Sequence, residues 1–220
     1  MISKYLFVFT LLVCVLNSSA QTDFPALKQQ FLDYRKADKQ DSTLFIARKM
    51  NSLALQEKGD TSYWYALSML YQGNPFYTQG VFDSTLFYWK KSVELFEEHH
   101  PDSLDYASSL NSLGVLYWEM GDYKAAEHYF KQALGITKQA LGEEHPDYAM
   151  SLNNLGTLYH DMGDYKAAEA YHKQALEVYK KALGEEHPDY AMSLNNLGLL
   201  YHDMGDYKAA EPYYKQALEI

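Results

Sequence analysis

Residues 145–178 and 187–220 are one 34-residue block written twice, 42 residues apart. They differ at four positions only: Thr157/Leu199, Ala170/Pro212, His172/Tyr214 and Val178/Ile220. A third, more divergent copy, 105–138, lies another 42 residues upstream. Self-similarity at a fixed period prescribes a stacked array, in which each unit buries its apolar face only against its neighbours. The repetition also bears on chemistry. A catalytic centre needs one asymmetric cluster, whereas here every candidate residue recurs once per unit. A binding surface is therefore expected, and an enzyme is not.

Each clear unit reads as two amphipathic helices. In the first helix, 146–162, Leu152, Leu155, Gly156 and Tyr159 recur at helical spacing and form a core stripe. Pro146 suits a first helical turn, where its missing N–H removes no bond. Gly163 then supplies a positive φ and Asp164 can cap the next helix. That second helix, 165–183, carries Tyr165, Ala168, His172, Ala175 and Leu176 inward and ends at Gly184. No strand-like alternation occurs, so the class is all-α. The period continues upstream: Asp41-Ser-Thr-Leu-Phe45 recurs as Asp83-Ser-Thr-Leu-Phe87. Second helices are expected over 41–57 and 82–98, and first helices over 24–36 and 61–72. Gln72–Gly80, with Gly73, Pro75 and Gly80, reads as a long loop, and Tyr71 is aligned with Tyr117.

Composition narrows the partners. The formal net charge is −10, which repels nucleic acid and anionic membranes. Met1–Lys4 with one charge, an apolar run over 5–16 apart from Thr10, and Asn17-Ser18-Ser19-Ala20 make the three parts of a secretory signal, with cleavage expected before Gln21. Twelve apolar residues are too few to cross a bilayer, which takes about 20. Val13 before Cys14 argues against a lipid anchor there. Cys14 is the only cysteine, so the mature chain holds no disulfide, thiolate metal site or thiol nucleophile. The expected domains are a signal peptide over 1–20, two divergent hairpins over 21–98, and three regular repeats over 99–220, the last cut short. The expected location is periplasmic or extracellular, with no stable membrane insertion by this chain.

Opposite the core stripe, the first helices carry a second repeated stripe. It reads Ser108, Asn111, Ser112, Val115, Trp118 and Glu119, then Met150, Asn153, Asn154, Thr157, His160 and Asp161, then Met192, Asn195, Asn196, Leu199, His202 and Asp203. An Asn amide both donates and accepts, so it can hold the backbone of an extended peptide whatever the peptide's side chains. The alternative for one Asn of each pair is to brace the adjacent first helix.

Leu110-x2-Leu113-Gly114-x2-Tyr117 followed by Ala126-x3-Phe130 resembles the tetratricopeptide pattern, with Leu for the usual first Trp. Leu152, Leu155, Gly156, Tyr159 and Ala168 repeat it, as do Leu194, Leu197, Gly198, Tyr201, Ala210 and Tyr214. The 42-residue period, the LGEEHPD joints and the LNNLG core resemble the kinesin light chain type. The resemblance implies a right-handed superhelical solenoid of antiparallel helix pairs that binds a protein or an extended peptide in a concave groove. It also implies that Asn111, Asn153 and Asn195 face that groove. The signal segment departs from cytoplasmic kinesin light chains. Exported proteins with similar arrays often continue into a membrane-linked sensor kinase or a caspase-like protease, and the stop inside a second helix at Ile220 makes a longer protein the expected alternative. The groove expected here therefore comprises Asn111, Trp118, Met150, Asn153, Asn154, Thr157, His160, Asn195, Asn196 and His202.

Other chemistry is weakly supported. His160 and His202 lie on neighbouring helices, which pack 8–10 Å apart, too far to share one zinc ion at about 2.0–2.1 Å. His145 and His187 sit beside Pro at helix starts and read as caps. His172 is replaced by Phe130 and Tyr214 in the other units and so marks a packing position. Glu143-Glu144 and Glu185-Glu186 precede helix starts, where negative charge is favourable. No phosphate-binding Gly-rich loop is present, and no cofactor, metal site or catalytic group is expected.

Overall fold

The computed structural model describes residues 23–220; the expected signal segment lies outside the described residues. Among them are ten α-helices and no strand. In chain order they are α1 (Phe24–Lys36), α2 (Gln40–Lys58), α3 (Tyr63–Thr78), α4 (Phe82–His99), α5 (Leu104–Glu119), α6 (Tyr123–Leu141), α7 (Pro146–Asp161), α8 (Tyr165–Leu183), α9 (Pro188–Asp203) and α10 (Tyr207–Leu218). Consecutive helices pair as hairpins, and each pair stacks on the next. None of the described helices is long and apolar enough to cross a membrane.

The turn chemistry explains the hairpins. Gly163 has a φ of 78°, and the Asp164 N–H reaches back to the Tyr159 carbonyl at 2.9 Å, the six-to-one bond of a Schellman stop. The Asp164 carboxylate then accepts from the Ala167 N–H at 3.1 Å and opens α8. The same bonds recur around Gly121 and Gly205, with Asp122 and Asp206 as caps. His145 and His187 do cap α7 and α9, each accepting the N–H two residues on through Nδ1 at 3.1 Å.

The turn also corrects the upstream alignment. Gly80 N–H bonds the Tyr77 carbonyl and Val81 N–H bonds the Phe76 carbonyl, so Gly80 is the counterpart of Gly121. Asp38, with a φ of 52°, is the first-pair counterpart: its N–H bonds the Arg35 carbonyl and the Lys39 N–H bonds the Tyr34 carbonyl. Phe76, not Tyr71, therefore stands where Tyr117 stands. The expected loop over 72–80 is helix as far as Thr78. Pro75 removes one backbone donor, and Gly73 is a weak helix former. Burial outweighs both: Gly73 and Pro75 are core residues, and the Trp89 indole N–H bonds the Leu70 carbonyl at 3.0 Å.

The core is a line of aromatic rings, each seated on a glycine. A Cβ on Gly73, Gly114, Gly156 or Gly198 would lie 2.4–2.7 Å from the ring of Trp89, Phe130, His172 or Tyr214 respectively. The neighbour across each glycine is thus a ring rather than Ala126, Ala168 or Ala210. A second aromatic series joins the two helices of each pair by stacking: Phe76 on Tyr88, Tyr117 on Tyr129, Tyr159 on Tyr171 and Tyr201 on Tyr213, with centroids 5.4–5.6 Å apart. Fixed ring positions repeated in every unit account for much of the tyrosine content.

Gly114→Leu should therefore overpack the Phe130 contact and destabilise the protein by about 1–3 kcal/mol. Gly135 lies exposed in α6 with open space around it, so Gly135→Ala should instead raise stability by about 0.5–1 kcal/mol. Thermal melts followed by circular dichroism check both; equal effects of the two variants would refute the ring-on-glycine assignment.

Candidate interaction groove

The odd-numbered helices line one face of the array, and its N-terminal half encloses a cavity of about 590 Å³. Lys28, Leu32 and Arg35 come from α1, Leu70, Tyr71, Asn74, Pro75, Tyr77 and Thr78 from α3, Asn111 and Val115 from α5, and Met150 and Asn154 from α7. The stripe expected from the sequence reaches this cavity at Ser108, Asn111, Ser112, Val115, Met150 and Asn154. The larger share of the walls comes from the two divergent pairs, which contributed no residue to the expected groove.

The corrected register shows how those walls could have been found. Aligning the turns at Asp38, Gly80, Gly121, Gly163 and Gly205 puts Lys28 and Leu70 in the column of Asn111, Asn153 and Asn195. It puts Leu32 and Asn74 with Val115, Thr157 and Leu199, and Arg35 and Tyr77 with Trp118, His160 and His202. The signal was the turn glycine, hidden because the first pair uses Asp38 there.

Three of the expected asparagine contacts divide sharply. Asn111 is half-buried and lines the cavity, and Asn195, in the last pair, is exposed. Asn153 is only 5% exposed, which corrects its expected groove role. Its Nδ2 donates to Ser193 Oγ at 2.8 Å and its Oδ1 lies 3.0 Å from His172 Nδ1. The cause is the residue across Gly156: an imidazole can hydrogen-bond an amide, whereas Phe130 in the preceding unit cannot. Asn154 braces its neighbour, donating to Asn111 Oδ1 at 3.4 Å, a long bond. Thr157 is half-buried and returns its hydroxyl to the Asn153 carbonyl. Asn196 is half-buried, and Met150 and Met192 are exposed.

At the last turn of each odd-numbered helix, the remaining expected residues form a ladder. Tyr77 Oη donates to Glu119 at 2.5 Å, Trp118 Nε1 donates to Asp161 at 2.8 Å, and His160 Nε2 lies 3.0 Å from Asp203. His202 meets Asp203 from its own helix through Nδ1 at 3.0 Å. Trp118 and His160 are therefore engaged between neighbouring helices, with only part of each ring left to the groove. At the opposite end of the cavity, Asp105 accepts from Lys28 Nζ at 2.8 Å and from the Tyr63 hydroxyl.

A family profile described as tetratricopeptide repeat matches residues 133–181 and 148–220, and a second with the same description matches 107–147. Together they cover just over half of the chain. The chain belongs to the tetratricopeptide repeat family. Tetratricopeptide folds in solved structures extend the likeness to the whole described array. The structure of BtubC (BKLC) from P. vanneervenii aligns with a TM-score of 0.71 at 20% identity, covering 89% of this chain and 88% of that one. A putative kinesin light chain with nearly identical repeats from Podosopora anserina aligns with a TM-score of 0.72 at 16% identity, covering 89% and 93%. Among curated proteins, the N-lysine methyltransferase SMYD2 of Bos taurus is 35% identical over 85 residues, 37% of this chain and 19% of that protein; the Mus musculus protein is 30% identical over 119 residues, 52% and 27%. The chain thus spans about a fifth to a quarter of these relatives. Tetratricopeptide repeats are protein-interaction scaffolds and are generally non-catalytic.

Burial, with a smaller contribution from His160, lowers the pKa of His172 to about 4. The native ring stays neutral while the unfolded ring takes a proton near 6.5. Its contribution to stability is thus complete above about pH 6.5 and is lost as the pH falls toward 4, roughly 2 kcal/mol of it by pH 5. His172→Tyr, which copies Tyr214, should remove that part of the acid sensitivity. Chemical denaturation of both proteins from pH 7.5 to 4 tests this: parallel stability curves would count against the buried neutral imidazole.

Proposed function

We propose that this tetratricopeptide array is a non-catalytic scaffold that binds an extended protein segment along the face of its odd-numbered helices. One observation carries the reading. Along that face α3, α5 and α7 bring Leu70, Asn111, Val115, Met150 and Asn154 into one concavity that runs across three successive units. A groove shared by neighbouring units, mixing apolar side chains with amide donors and acceptors, suits an extended segment. The exposed Met192 and Leu199 offer apolar contact, and Met in particular adapts to varied side chains. Asn111 and Asn195 offer main-chain hydrogen bonds. The acidic balance favours neutral or basic segments.

Asn195→Ala and Met192→Ala should each weaken binding of a partner recovered from the native host by about 1 kcal/mol, the scale of one net hydrogen bond or a partly buried side chain. Asn153→Ala should leave affinity unchanged and lower stability instead, because Ser193 and His172 lose their partner. Lys166→Ala, on an exposed site of α8, should do neither. Isothermal titration of the four variants makes the comparison. The groove reading fails if the Asn195 and Met192 variants together bind as tightly as the parent.

We further propose that Met1–Ala20 is removed on export and that the protein acts in the periplasm or outside the cell. The tripartite pattern of that segment supports this. Mass spectrometry of the protein from its native host should find Gln21 at the N-terminus; a cytoplasmic product beginning at Met1 would exclude export.

A further inference from the structure

The ladder along the last turns of the odd-numbered helices has a regular rule and one exception. In each later rung, a donor on one helix meets an acid on the next: Tyr77 with Glu119, Trp118 with Asp161, His160 with Asp203. In the first rung the donor is Arg35, and the register places Thr78 where the acid should stand. Thr78 cannot replace it: it carries no charge, and its hydroxyl is already donated to the Pro75 carbonyl at 3.0 Å. The exposed Arg35 guanidinium forms no salt bridge among the described residues. Both residues line the 590 Å³ cavity.

Tyr71 and Asn74 add polar groups to the same cavity wall. Tyr71 stacks on Phe31 at 3.9 Å, and its hydroxyl is kept protonated by burial and then by the nearby charge of Asp105, while Arg35 acts in the opposite sense and so lies close. The Asn74 Oδ1 accepts from the Trp89 indole at 3.2 Å, which leaves the Asn74 amide hydrogens free to point elsewhere. The two further charges in the wall, Lys28 and Asp105, already neutralise each other; Asp38 and Lys39 at the rim cancel in sign. Leu32, Leu70, Pro75, Val115 and Met150 supply most of the remaining wall, with Ser108, Asn111, Ser112 and Asn154 set among them. The volume falls within the roughly 300–1,000 Å³ of small-molecule sites.

We propose that the N-terminal half of the groove is a binding site for a small amphiphilic carboxylic acid, whose carboxylate takes the place of the missing ladder acid on Arg35 and whose apolar body fills the cavity. This site does not depend on the extended-segment reading. Its charge receptor lies on α1 and α3, away from Asn195 and Met192.

The test uses the full chain and two naphthalene dyes of similar size, the anionic 8-anilinonaphthalene-1-sulfonate and the neutral N-phenyl-1-naphthylamine, with decanoate and decanol as competitors. Fluorescence titration should show one site for each dye, with decanoate displacing the anionic dye well below the concentration of decanol required. Arg35→Gln should weaken the anionic dye about ten-fold, the loss of one charge-assisted pair, and leave the neutral dye unchanged. Thr78→Glu restores the ladder acid that Glu119, Asp161 and Asp203 already show to be tolerated at that position. It should give the same selective loss with an unaltered thermal melt. Val115→Trp should reduce both dyes by filling the cavity. Equal competition by decanoate and decanol, or an anionic affinity that Arg35→Gln and Thr78→Glu leave untouched, would overturn the proposal. Loss of the site with intact capture of a partner through Asn195 and Met192 would leave the scaffold reading standing.

Discussion

The ring seated on a glycine is the contact on which the array depends. Every hairpin from the second onward places an aromatic ring of its even-numbered helix over a glycine of its odd-numbered one, at a distance no Cβ allows. That contact sets how closely the two helices approach. Their separation in turn lets Tyr117, Tyr159 and Tyr201 stack on their partners and lets the tight glycine turn close. With the hairpin fixed, successive units can only stack with their odd-numbered helices side by side, and the groove follows from this. A one-dimensional core gains stability unit by unit, so a single oversized side chain at Gly114 or Gly156 acts on the interfaces to either side as well as on its own hairpin.

Neighbouring units are held by polar contacts that also repeat. The Tyr159 hydroxyl donates to Glu127 at 2.6 Å, and Tyr201 does the same to Glu169, with Lys131 and Lys173 completing each cluster. The donor-to-acid ladder joins the last turns of the odd-numbered helices beside these contacts. These contacts fix the rotation between units and therefore which side chains look into the groove. His172 shows how far one residue shifts that outcome: where Phe130 stands across Gly114, Asn111 is half-buried at the cavity, whereas the imidazole across Gly156 and Ser193 of the next pair hold Asn153 inward.

Periodicity made the fold legible. The ends of α1 and α8, the His145 and His187 caps and the glycine stops stand where the sequence places them, because caps and turns are local chemistry. Reading failed over 72–80, where Gly73 and Pro75 look like loop residues. Their helical state rests on Trp89, sixteen and fourteen residues further along, and no local rule includes that ring. The error in aligning Tyr71 had the same root. Pairing by residue type favoured one tyrosine over another, whereas the turn at Gly80 decides the register.

The sequence by itself determined the repeat, the all-α class, the hairpin boundaries of the regular units and the columns from which a groove is built. These follow from hydrophobic period, capping and steric limits that act within a few residues. Tertiary structure decided which members of those columns remain open. Asn153 turned inward because an imidazole lies across Gly156. Trp118 and His160 were taken up by acids one unit away. Arg35 lines the groove because Asp38 takes the positive φ of the turn glycine and keeps the register, and it stayed unpaired because Thr78 replaces an acid. Each outcome depends on a partner about 40 residues distant or on the neighbouring helix, and contacts of that kind come into being only when the units stack.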